Sequence, residues 1–142
     1  MIKPKGIDHV LINVTDLNRA VMFYTENFGL KASGQYEGAV VWMNFGQYEE
    51  KGLFIHDFGL YKVEQDLPEH RRNMAGLNHI AFHYISAEEL EKAALEMGKR
   101  GVKILKGPGT HKEDNTRYVY IEDPDKNVIE LVAPLGENHP KA

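Results

Sequence analysis

His111-Lys112-Glu113-Asp114-Asn115-Thr116-Arg117-Tyr118-Val119-Tyr120-Ile121-Glu122-Asp123-Pro124-Asp125-Lys126-Asn127-Val128-Ile129-Glu130-Leu131 is the stretch whose reading decides the fold. It reads as a loop carrying one histidine, then a strand ending near Glu122, a tight turn over residues 123–127, and a returning strand. Pro124 presets φ for an early turn position, and Asp125 and Asn127 tolerate turn geometry. The returning strand, residues 128–133, is apolar except for Glu130. A carboxylate in such a strand is costly to bury unless a cation or hydrogen-bond donors face it. Glu130 therefore requires a partner from elsewhere in the chain.

Working outward, the pattern restarts twice. Residues 7–14 alternate and are β-branched, predicting a strand with Ile7, His9, Leu11 and Asn13 on one face. Asp16 is placed to cap a helix from Leu17 to about Asn27, striped by Leu17, Val21, Tyr24 and Phe28 and ended at Gly29. Residues 39–45 and 53–58 are further strands, so the first half reads β, α, then two or three strands. Residues 64–75 are a polar connection. Residues 77–84 form a second opening strand with His79, Ala81 and His83 on one face. Ser86 and Glu89 have capping-box spacing for a helix to about Arg100, with Leu90, Ala93, Ala94 and Met97 buried. Strands follow at 102–105, 118–122 and 128–133.

This is an internal repeat. Ile7-Asp8-His9-Val10 returns as Leu77-Asn78-His79-Ile80, Gly29 returns as Gly101, and His56 in the strand closing the first half pairs with Glu130. Each half is βαβββ. The expected fold class is α+β, two βαβββ modules forming a curved half-barrel mixed sheet with helices outside. Within a single domain, 1–142, the modules are 6–62 and 77–134, joined by 63–76 and followed by a flexible tail, 135–142.

The repeat brings His9 and His79 on the opening strands and His56 and Glu130 on the closing ones toward one cavity. A lone strand histidine is ordinarily a hydrogen-bonded rim residue, and a lone strand glutamate a partner for Lys or Arg. Their coincidence in a repeat favours a metal. Two imidazoles and a carboxylate suit a first-row ion, non-haem Fe(II) first, with zinc also using such a set. His56 is a fourth ligand, an acid/base group beside the metal, or structural. His70 and His139 read as solvated.

Size and composition limit the rest. A chain of 142 residues buries roughly two-thirds of its unfolded surface, enough for a core without staples. With no cysteine there are no disulfides or thiolate metal sites. A net charge of −4 argues against nucleic acid as partner. Apolar runs fall short of the about 18 residues a membrane span needs, and no signal region opens the chain. A cytoplasmic protein is expected.

From residue 6 to residue 134 the chain resembles the vicinal oxygen chelate superfamily, which includes glyoxalase I, fosfomycin-resistance proteins, bleomycin-binding proteins and extradiol dioxygenases. The resemblance implies paired βαβββ modules, a metal held by His9, His79 and Glu130, and commonly a homodimer. Gly109-Thr110-His111, Val119-Tyr120, Asp123-Pro124 and Glu130 are similar to the signature of type I extradiol dioxygenases, with Lys126 standing where that signature has glycine. The expected activity is Fe(II)-dependent ring cleavage of a catechol-like substrate with vicinal oxygens. His56 would be the acid/base, His111 and Tyr120 would hydrogen-bond substrate oxygens, and Phe54 and Phe58 would form an aromatic wall. The alternatives are a glyoxalase I-like or fosfomycin-resistance-like lyase, isomerase or transferase using Zn, Ni, Mn or Co, and a non-catalytic small-molecule binding protein.

Overall fold

The structure is a computed structural model and describes residues 1–48, 55–68 and 73–141. The chain divides into two compact units, Met1–Asp66 and Leu67–Ala142. Unit 1 contains β1 (Val10–Val14), α1 (Leu17–Phe28), β2 (Lys31–Tyr36), β3 (Val40–Asn44) and β4 (Phe58–Lys62). Unit 2 contains β5 (Ile80–His83), α2 (Ala87–Lys99), β6 (Lys103–His111), β7 (Thr116–Glu122) and β8 (Val128–Pro134). Both units are thus βαβββ. Each carries one four-stranded mixed sheet, in the order β1-β4-β3-β2 and β5-β8-β7-β6. The first and last strands of each unit run parallel, and the other neighbours antiparallel. The fold class is α+β.

The local signals explain the elements. Asp16 accepts from the Arg19 N–H at 2.9 Å, and Gly29 ends α1 at φ 67°. Ser86 accepts from the Glu89 N–H at 3.2 Å at the start of α2. Each satisfies a donor that the first helical turn leaves open. In α1 the buried residues are Tyr24, from the expected stripe, and Ala20, while Leu17, Val21 and Phe28 are half-buried; in α2 they are Leu90, Ala94 and Met97.

Each helix covers one face of its own sheet, α1 over β3 and β4 and α2 over β6, β7 and β8. Alternate residues of the strands point to that core. Ile12 and Val14 of β1 are buried while Leu11 and Asn13 are exposed, and Phe82 of β5 is buried between exposed Ala81 and His83. Tyr24 and Phe58 are fully buried and their rings lie 4.9 Å apart. Each such ring contributes about 1.5–3 kcal/mol by leaving water. The histidine-bearing faces are therefore the ones the helices leave uncovered.

Several expectations are corrected here. The strand expected over 53–58 begins only at Phe58; residues 53 and 54, including Phe54, lie outside the described residues, and 55–57 are not strand. Phe58 is no cavity wall, because β4 turns it into the core against Tyr24. The third strand of the first half is β2, whose Lys31-Ala32-Ser33-Gly34-Gln35-Tyr36 lacks a clear apolar alternation. His111 ends β6 and is not in the following loop.

Candidate metal centre

Unit 2 builds its site around Glu130. Its side chain is 8% exposed, between the fully buried Ile129 and Leu131. The strand register puts Tyr120 on one side of it and Ala81 on the other. Its two oxygens face two imidazoles. His79 Nε2 lies 3.0 Å from Oε2, and His111 Nε2 lies 2.9 Å from Oε1. Tyr120 also donates a hydrogen bond to Glu130, and its ring stands edge-on to His79 at 5.3 Å. Burial, then the Glu130 charge, push the Tyr120 hydroxyl up to about 12, so it is a neutral donor near pH 7.

The turn that returns β8 beside β7 is held by Asp123. Its Oδ1 accepts from the N–H of Asp125 at 2.9 Å and of Asn127 at 2.8 Å. Its Oδ2 accepts from the Asn127 side-chain amide at 3.0 Å. This turn sets the register that brings Glu130 opposite Tyr120.

His79 Nδ1 lies 2.7 Å from Asn78 Oδ1, and in unit 1 His9 Nδ1 lies 2.7 Å from Asp8 Oδ1. In both repeats the preceding residue therefore accepts from Nδ1–H and leaves Nε2 as a lone pair. At His79 that lone pair faces a carboxylate oxygen 3.0 Å away, an arrangement that calls for a proton or a cation between them. Two donors each about 2.1 Å from one ion and at a right angle to each other lie about 3.0 Å apart. The residues present fit a divalent ion.

The sheet face around them bounds a cavity of about 670 Å³ within unit 2, lined by His79, His111, Tyr120 and Glu130 together with His83 and His139. His139, expected to be solvated, is a wall residue of this cavity.

Unit 1 brings together the other two expected residues. The His9 and His56 rings are 5.0 Å apart, and Asp8, His9 and His56 can each offer a ligand atom within 4.8 Å of the others. Trp42 stacks on His56 at 4.0 Å and meets His9 edge-on at 5.1 Å. The register corrects the repeat, however. Leu11 pairs with Gly59 where Ala81 pairs with Glu130, and Trp42 pairs with Gly59 where Tyr120 pairs with Glu130. The counterpart of Glu130 is thus Gly59, not His56, which lies ahead of β4. A Cβ on Gly59 would come within 2.6 Å of Trp42 and 2.7 Å of Leu11. The position that holds a carboxylate in unit 2 is filled by an indole in unit 1.

Sequence reasoning missed Asp8 and Asn78, although both stand directly before the repeated histidines, and it missed Trp42 and Tyr118, whose roles depend on strand register. His70 lies outside the described residues.

Comparison with known proteins agrees with this architecture. A metallothiol transferase FosB from Lysinibacillus sphaericus is 29% identical over 127 residues, 89% of this chain and 81% of that protein. A lactoylglutathione lyase from Escherichia coli O157:H7 is 24% identical over 131 residues, 87% of this chain and 89% of that protein. The fosfomycin resistance protein FosX from Listeria monocytogenes superposes with a TM-score of 0.70 at 21% identity, covering 94% of both chains, a likeness of fold. None of the three is named a dioxygenase. The family model described as Glyoxalase/Bleomycin resistance protein/Dioxygenase superfamily matches residues 6–131, and with βαβββ units and this histidine–carboxylate geometry the chain belongs to that superfamily.

Proposed function

We propose that this protein is a metal-dependent lyase or transferase that acts on a small molecule with two neighbouring oxygens and uses a redox-inert divalent ion such as Mn(II), Ni(II), Zn(II) or Co(II). The observation that carries this reading is the near-buried Glu130 carboxylate with His79 Nε2 3.0 Å from it, on the wall of a cavity of small-molecule size. The relatives support the choice of chemistry over ring cleavage, being named as a lyase and a metallothiol transferase. A mutant of the Listeria FosX, similar in fold, is complexed with Mn(II) and 1S,2S-dihydroxypropylphosphonic acid.

The ligands would be His9, His79 and Glu130, the set expected from the sequence. Bound there, the ion supplies Lewis acidity that polarises vicinal substrate oxygens. The protein's own groups do the rest. Asp8 and Asn78 hold the His9 and His79 rings by Nδ1 and so aim Nε2. Tyr120, kept protonated, donates its one hydroxyl proton to Glu130 and so helps hold the carboxylate in place. His56, stacked on Trp42 beside His9, takes and returns a proton. We take the working form to be a cytoplasmic homodimer; light scattering that returns the mass of one chain would remove the dimer.

A second reading, Fe(II)-dependent extradiol cleavage, draws on one observation: His111 and Tyr120 line the same cavity as Glu130. One experiment separates the readings. Protein purified without chelators is analysed for metal, then assayed with the hemithioacetal of methylglyoxal and glutathione, with fosfomycin plus thiol or water, and with catechols under oxygen. Turnover of either of the first two, unchanged by removing oxygen, is the expected result. Oxygen uptake with a yellow product from a catechol would replace it by the second reading. No turnover anywhere, with ligand affinity untouched by His79→Ala or Glu130→Ala, would make the protein a binding module.

A further inference from the structure

His111 offers more than a wall to the cavity. Its ring stacks on Tyr118 at 4.1 Å and 25°, and its Nε2–H donates to Glu130 Oε1 at 2.9 Å. It reaches Glu130 from β6, across the intervening β7. The Tyr118 ring is itself seated over Gly109, where a Cβ would come within 2.5 Å of Cζ and of the hydroxyl oxygen. Gly109 pairs with Tyr118 across the two strands, and Lys106 Nζ lies 5.5 Å from the centre of the same ring. Any side chain at 109 would displace the platform on which His111 rests. The imidazole is therefore fixed through its face and through one nitrogen, and that nitrogen is engaged by protein.

A carboxylate holds an ion through one oxygen or through both. With Oε1 engaged by His111, Oε2 is the oxygen left for an ion, and it is the one facing His79. We propose that His111, seated by Tyr118 over Gly109, is a positioning residue that fixes Glu130 as a one-oxygen ligand. This rests on the metal reading above and changes the role expected for His111 from contact with substrate to orientation of the carboxylate. Outer partners of this kind typically matter 10–100-fold in metal affinity.

The test is titration calorimetry with Mn(II), alongside the visible spectrum of the Co(II)-loaded protein, on wild type, His111→Ala, His111→Gln, Gly109→Ala and Glu130→Ala. The expected results are a loss of about 10–100-fold for His111→Ala with a shifted Co(II) spectrum, near-wild-type affinity for His111→Gln, whose amide still donates, and an intermediate loss for Gly109→Ala. Wild-type affinity in His111→Ala overturns the proposal. So does His111→Gln losing as much as His111→Ala, which would make His111 itself a ligand. Failure of the metal reading is a different result: wild type without stoichiometric binding, or Glu130→Ala binding as well as wild type.

Discussion

Glu130 and Gly59 occupy matching register positions with opposite chemistry. In unit 2 the position carries a carboxylate whose burial is offset by hydrogen bonds from His111 and Tyr120 and by His79. In unit 1 it carries no side chain, because Trp42 and Leu11 take the space. Gly59→Ala should therefore destabilise unit 1 by about 1–3 kcal/mol, the range for overpacking a well-filled site. The denaturant midpoint measures this, and tryptophan fluorescence should report the displaced Trp42, the chain's one tryptophan, at the same time. Tyr84 gives a second residue-scale expectation. Burial pushes its hydroxyl from 10.0 up to about 12. The folded protein thus holds the proton more tightly than the unfolded chain, so the associated stability is fully present below pH 10 and is lost as pH rises from 10 toward 12. Denaturation midpoints taken over that window should fall less steeply in Tyr84→Phe than in wild type. Parallel curves would remove the assignment.

At the scale of elements, the turn between β7 and β8 shows why one departure from the dioxygenase-like signature is tolerated. Lys126 adopts φ 67°, the left-handed conformation a glycine would take there, while its N–H still donates to the Asp123 carbonyl at 3.0 Å. The turn geometry is retained and the cost falls on the backbone of one residue. A non-glycine residue loses about 1–2 kcal/mol in that region, against roughly 0.5–1 kcal/mol of extra chain entropy that glycine forfeits on folding. Lys126→Gly should therefore stabilise the protein by about 0.5–1 kcal/mol, seen as a higher melting temperature with the same metal affinity. The helices were legible for a related reason. Asp16 and Ser86 act on N–H groups three residues away, so the spacing is visible in the chain itself. β2 was not legible, because its Ala32, Gly34 and Gln35 are held by pairing with β3 across a register shift at Ser33, and the strand carries no apolar pattern of its own.

For the whole molecule, the metal reading predicts a coupling between ion binding and stability. An ion that binds only the folded chain adds about 2.7 kcal/mol when present at 100 times its dissociation constant. Mn(II) or Ni(II) should raise the melting temperature with increasing concentration, a chelator should reverse it, and His79→Ala and Glu130→Ala should show no such rise. A rise that survives in both variants would place the ion elsewhere. What the sequence by itself determined is the doubling of a βαβββ unit and the candidates His9, His79 and Glu130, because alternation, capping and the repeated Asx-His pair are local patterns that pairing preserves. What only the tertiary structure decided is which residues oppose one another: that Gly59 and not His56 matches Glu130, that Phe58 belongs to the core, and that His111 crosses a strand to reach the carboxylate. Register depends on packing between distant strands, and a shift of one residue exchanges the faces of a strand, so no reading of one strand alone can supply it.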